Sequence, residues 1–62
     1  MDYGKALKAL REKFLITQTE LAQKLGVSYA SVNRWENGKC EPTMKAKRSI
    51  RSLCQKHGIK EE

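Results

Sequence analysis

The sequence predicts an all-α domain of four compactly packed helices, on three observations. Apolar residues recur at helical spacing in four successive stretches. Each stretch is preceded by a residue whose side chain can accept a bond from the first free N–H groups: Asp2, Thr17, Ser28 and Thr43. Three of the four run into a glycine, at Gly26, Gly38 and Gly58, where a helix is readily closed. Sixty-two residues allow a single domain, 1–62, with a small core near the lower limit for folding without staples.

The first helix is predicted over Tyr3 to Phe14 with Asp2 as its cap. Tyr3, Leu7, Leu10 and Phe14, with Ala6 beside them, form its apolar stripe. Lys5, Lys8, Arg11 and Lys13 decorate the other faces, and for Lys5 and Lys8 a solvated surface is the simplest reading. Leu15 and Ile16 end this helix; Ile16 either staples on Leu21 or joins the core.

Thr17 stands three residues before Glu20, the capping-box spacing, so Gln18 opens the second helix. Leu21, Ala22 and Leu25 are its stripe, Gly26 its left-handed end and Val27 the apolar plug of the turn. Ser28 caps a third helix that stops at Asn37-Gly38. At roughly 100° per residue, Val32 and Trp35 form a core face flanked by Ser28 and Glu36. Ala30, Asn33, Arg34 and Asn37 fall together on the opposite, polar face. After a short loop ending in Pro42, the last helix runs from Met44 to about His57, its inner face lined by Ala46, Ile50, Leu53, Cys54 and His57. Lys45, Lys47, Arg48, Arg51 and Lys56 make the rest of it strongly basic, which also suits a helix C-terminus. The expected core is Leu7, Leu10, Phe14, Leu21, Leu25, Val32, Trp35, Ile50 and Leu53.

Two helices joined by about three residues with a glycine are the unit that places its second helix in a DNA major groove. The stretch Thr17 to Lys39, TQTELAQKLGVSYASVNRWENGK, resembles the helix-turn-helix of the Cro/phage-repressor, or XRE-type, family of DNA-binding proteins. The matching points are Gln18, Glu20, Leu21, Ala22, Gly26, Val27, Val32, Trp35, Glu36, Asn37 and Gly38, and with the flanking helices the likeness covers roughly residues 5 to 58. The resemblance implies a lambda-repressor-like fold, with residues 17–38 as the motif and about 28–37 as the recognition helix. It implies a sequence-specific transcriptional regulator, a repressor of phage or mobile-element type, acting on double-stranded DNA.

Positioning and reading are separate tasks in such a complex. Thr17 and Gln18 stand where free N–H groups and the positive dipole end of a helix favour a phosphate. The resemblance implies that Asn37 and the backbone around Gly38 and Lys39 hold the same backbone from the other side, and that Arg11 pairs with Glu36 while leaning towards the DNA. An unpaired Glu36 next to the Trp35 core face would be costly, which argues for the pair on physical grounds; two exposed, unpaired charges are the alternative. Reading falls to Ser28, Tyr29, Ala30, Asn33 and Arg34. The fork of Arg34 matches guanine O6 and N7, Asn33 can pair with adenine, and Ala30 can touch a thymine methyl. A solvated helix face is the plain alternative for Asn33 and Arg34.

Thirteen Lys and Arg against seven Asp and Glu give a net charge of +6 and a pI of about 9.6, a balance that favours a polyanionic partner. No run approaches the roughly 20 apolar residues of a membrane span and no secretion signal opens the chain, so it is expected in the cytoplasm, at the nucleoid, with no membrane role. That setting argues for reduced thiols at Cys40 and Cys54. Cys54 and His57 share a helical spacing, but with only Cys40 as a third ligand a metal site is set aside, and Cys54 reads as a small core residue. Without paired carboxylates or a nucleophile with a positioned base, no enzyme is read here, and no cofactor or small-molecule ligand is expected.

Many relatives carry a fifth helix that completes a dimer, and this sequence does not show one. A weak homodimer on an inverted-repeat operator and a monomer therefore both stay open. The competing reading is an antitoxin-like or adaptor module that holds another protein with the same fold. A protein-binding face normally presents large apolar anchors, and the strip of Ala30, Asn33, Arg34 and Asn37 does not.

Overall fold

The computed structural model describes residues 2–59; the rest of the tail, 60–62, lies outside the described residues. The helices are α1 (Tyr3–Phe14), α2 (Gln18–Leu25), α3 (Tyr29–Glu36) and α4 (Met44–Lys56), with no strand among the described residues. Every helix opens on a side-chain cap. Asp2, Thr17, Ser28 and Thr43 accept from the N–H groups of Lys5, Glu20, Ser31 and Ala46 at 3.2, 3.1, 3.1 and 3.2 Å. Glu20 returns the bond to the N–H of Thr17 at 3.0 Å, completing the capping box.

All four helices also end alike, in a Schellman turn whose closing bonds run from Ile16 to Arg11, Val27 to Ala22, Lys39 to Arg34 and Ile59 to Cys54, at 2.8 to 3.1 Å. The turn requires a left-handed residue, and three of the four sites hold glycine. The fourth holds Leu15, at φ 55° and 90% exposed, a conformation that works against its Cβ.

The core is built of smaller side chains than the expected set, with alanines of the stripes in place of three larger residues. Leu7, Leu10, Leu21, Val32, Ile50 and Cys54 are fully buried, joined by Ala6, Ala22, Trp35 and Ala46. Phe14, Leu25 and Leu53 differ from expectation: they are only partly buried, packed around the rim. The reason is chain length, since four short helices cannot enclose a second layer. Phe14 is instead covered from outside, with Lys24 Nζ 4.9 Å from its ring centroid and the His57 ring nearly perpendicular to it, the two centroids 4.5 Å apart. Cys54 lies in the core and Cys40 is exposed, and the two are not joined in a disulfide.

Gly4 earns its place by proximity. A Cβ there would stand 2.9 Å from the carbonyl oxygen of Trp35 and 3.3 Å from that of Glu36, so α1 crosses the end of α3 backbone against side-chain-free backbone. α1 touches the other three helices, α2 packs on α3 and α4, and α3 and α4 make no contact with each other among the described residues. Each of the two thus packs on both α1 and α2, in a molecule measuring 26 × 21 × 18 Å.

Candidate nucleic-acid interface

The seat of α3 is built from one ion pair. Glu36 is the buried charged residue of the core, its side chain 1% exposed, and Arg11 reaches it from α1 with both arms of its fork. Nε donates to Oε2 at 2.8 Å and Nη2 to Oε1 at 2.7 Å. This bidentate bond holds the Arg11 guanidinium even further above its already high pKa, outweighing the opposing effect of burial. Arg11 spends two of its five N–H groups on Glu36 and keeps the others on a side chain 29% exposed. It is thus both a brace for the end of α3 and a cation at the surface beside it.

With Val32, Trp35 and Glu36 turned inward, α3 presents its other side outward. Ala30 and Arg34 are exposed, Tyr29 is 52% exposed and Asn33 is half-buried. Asn37, the C-cap, donates from Nδ2 to Asn33 Oδ1 at 3.2 Å. That bond fixes the two amides as a unit and still leaves Asn33 one acceptor lone pair and both N–H donors, the set an adenine edge requires. Ser28 is committed to its own helix: Oγ accepts from the Ser31 N–H at 3.1 Å and lies 2.9 Å from Ser31 Oγ. Ser31 was not singled out by periodicity, and it enters through this hydroxyl pair.

At the start of α2 the capping box occupies the N–H groups of Thr17 and Glu20. The N–H groups of Gln18 and Thr19 remain available, and Thr17 keeps its hydroxyl proton. The Glu20 carboxylate adds negative charge at the same end, so a phosphate is received there by individual N–H bonds more than by net field. Lys39, exposed past the end of α3, completes the set. Arg34, Asn33, Asn37 and Tyr29 thus lie on α3 and its C-cap, Thr17 and Gln18 at the start of α2, and Arg11 on α1 beneath the far end of α3.

A helix-turn-helix family model matches residues 7–46, which take in α1, both motif helices and the start of α4. The chain belongs to the XRE-type helix-turn-helix family. It is 36% identical over 50 residues to the HTH-type transcriptional activator BcrR of Enterococcus faecalis, covering 81% of this chain and 24% of that protein. It is 54% identical over 35 residues to a protein of Pyrococcus furiosus described as an HTH-type transcriptional regulatory protein, covering 56% of this chain and 11% of that one. The chain therefore spans a quarter or less of the length of these relatives. No solved structure matches it. The match gives the chain the all-α helix-turn-helix fold of a family of DNA-binding transcriptional regulators.

Two other features bear on ligands. An open cleft of about 390 Å³ lies outside the core, lined by Asp2, Tyr3, Gly4, Trp35, Gly38, Cys40, Glu41 and Pro42. Of its cation-attracting groups, the Tyr3 ring and Glu41 already serve Lys47, whose Nζ sits 5.4 Å from the Tyr3 ring centroid and 3.5 Å from Glu41 Oε2, while Asp2 caps α1. No group of three or more His, Cys, Asp or Glu side chains suited to a metal occurs among the described residues, and no helix there is long and apolar enough to cross a membrane.

Proposed function

We propose that residues 1–62 act as one helix-turn-helix domain that binds specific sites in double-stranded DNA and regulates transcription by occupying them, as a repressor of phage or mobile-element type. The observation that supports this best is the outward strip of α3, whose polar groups are positioned by bonds at its ends and carry no large apolar anchor but Tyr29. An α-helix fits the roughly 12 Å width of the major groove. In this reading Arg34, Asn33, Ala30, Tyr29 and Ser28 meet base edges, while Thr17, Gln18, Arg11, Asn37 and Lys39 hold phosphates. The role is binding without catalysis, exercised in the cytoplasm at the nucleoid.

BcrR is named an activator, but the matched segment is 24% of that protein, so its sign of regulation does not travel with the segment. Repression needs only occupancy. The antitoxin-like or adaptor reading gains nothing from exposed apolar surface, because Leu15, Tyr29 and Met44 stand at three separate helix ends.

Selection of bound duplexes from a random pool at about physiological salt, followed by sequencing, tests the proposal. Enrichment of a defined site supports it, and an inverted repeat with half-sites one helical turn apart would add the weak homodimer. Retention without enrichment would reduce the function to charge alone. No retention would move it to a protein partner.

A further inference from the structure

The positive charge of this protein is not on the motif. Across residues 17–38, Lys24 and Arg34 are balanced by Glu20 and Glu36, a net of zero. α4 carries Lys45, Lys47, Arg48, Arg51 and Lys56 and no acidic residue at all. Its inner side, Ala46, Ile50 and Cys54, is buried against the rest of the core. Opposite it, Lys45, Arg48 and Lys56 are exposed, with the exposed donors Ser52 and Gln55 between them. None of those three cations has an ion pair among the described residues, whereas Lys47 faces Glu41. From Lys45 to Lys56 the stripe runs about 16 Å at 1.5 Å per residue.

This stripe lies on a different helix from the one proposed to meet the first duplex. α3 and α4 make no contact with each other among the described residues, and each packs on α1 and α2. A Debye length at physiological salt is about 8 Å, so α4 cations farther than that from DNA lying along α3 are largely screened from it. A stripe of like charges also repels itself, and of these only Lys56, in the last turn, gains from the helix dipole.

We propose that the outer face of α4 is a second DNA-binding surface, engaging the phosphates of another duplex segment without reading its sequence, so that one domain joins two stretches of DNA. Phosphates fit it better than an anionic membrane does, because the apolar side of α4 is committed to the core and offers nothing to insert into lipid. The proposal rests on α3 holding the first duplex, and the experiment keeps the two apart.

The test immobilises a short duplex carrying the selected site, loads it with protein, and measures capture of a second, labelled duplex of unrelated sequence. Wild type is compared with the triple variant Lys45→Gln, Arg48→Gln, Lys56→Gln and with Arg34→Ala. Wild-type capture is expected to weaken about 40-fold between 50 and 200 mM salt, the dependence of roughly three phosphate contacts. The triple variant is expected to load onto the first duplex as wild type does and to lose capture. Arg34→Ala is expected to load the first duplex less selectively, relaxed at one base position, while keeping salt-sensitive retention on unrelated duplex, so failure of α3 reading and failure of α4 binding give different patterns. Capture unchanged by the triple variant, or absent in wild type, overturns the proposal. So does a triple variant that loads less well onto the first duplex, since α4 would then serve that same DNA. Binding of wild type to vesicles rich in anionic lipid, with no duplex captured at the same salt, overturns it in favour of a membrane.

Discussion

α3 and α4 flank the same helix pair, yet each has the kind of surface the other lacks. α3 is part of a motif with no net charge; among its outward groups Asn33 and Asn37 are bonded to each other and Ser28 to Ser31, on a helix braced by the buried Glu36. α4 carries five cations, and its outward Lys45, Arg48 and Lys56 have no ion pair among the described residues. Recognition of a base edge needs groups held within tenths of an ångström, because a misplaced donor loses its bond. Attraction to phosphates needs only charge. On the proposed reading, net charge alone therefore locates the wrong helix: most of the +6 that argues for a polyanion lies on α4 and not on the strip of α3 proposed to read sequence.

The comparison is broken most severely at Glu36. Replacing it with Gln leaves Arg11 facing a neutral amide in a site built for a carboxylate and should destabilise the fold by about 3 kcal/mol, the lower end for halving a buried pair because Arg11 is partly exposed. Urea denaturation of Glu36→Gln, Arg11→Met and the double variant measures it. If the double variant is no better than the sum of the singles, the pair is not the brace of α3.

Next in size is the division of labour on DNA. Arg34→Ala should cost about 1–3 kcal/mol against the preferred base and relax specificity at one position, while Gln18→Ala should weaken every sequence alike. Competition binding with single-base variants of the selected site separates them. Equal weakening of all sites by both changes would remove Arg34 from the reading set.

How much of this was legible in the sequence depends on how local the physics is. The four caps and the glycine ends are short-range chemistry, and the helix bounds follow from them: α1 to Phe14, α2 from Gln18, α3 between Ser28 and Asn37, α4 from Met44. The polar strip of α3 is equally a matter of periodicity. Gly4 was not legible, because its need for a missing Cβ comes from carbonyls more than thirty positions away at Trp35 and Glu36. Phe14, Leu25 and Leu53 sat on correct stripes but at the rim, and Ala6, Ala22 and Ala46 took the interior, since burial in so small a body is set by which helices cross where. The separation of α3 from α4 is topological, and composition cannot carry it.

Leu15 gives a smaller effect of opposite sign. It holds the left-handed position that glycine holds at the other three helix ends, and 90% of it is in water. Leu15→Gly should therefore relieve the Cβ conflict at the cost of some unfolded-state entropy, a net gain of about 0.5–1 kcal/mol and roughly 3–6 °C in Tm. A lower Tm would mean that the exposed leucine contributes to packing.

The smallest change in stability should come from the triple variant Lys45→Gln, Arg48→Gln, Lys56→Gln. All three side chains are exposed, Gln is nearly as good a helix former as Lys or Arg, and no bond among the described residues is lost. Removing like charges one turn apart adds a few tenths of a kcal/mol, and losing Lys56 from the last turn takes a similar amount away from the dipole interaction. Unfolding should thus stay within about 0.5 kcal/mol of wild type. Against the Glu36 variant, this sets the contrast at its sharpest: one charge whose removal loosens α3, and three whose removal leaves the fold as it was. A fall of more than about 1 kcal/mol would show that the outer face of α4 is structural, and its charges would then need no partner to explain them.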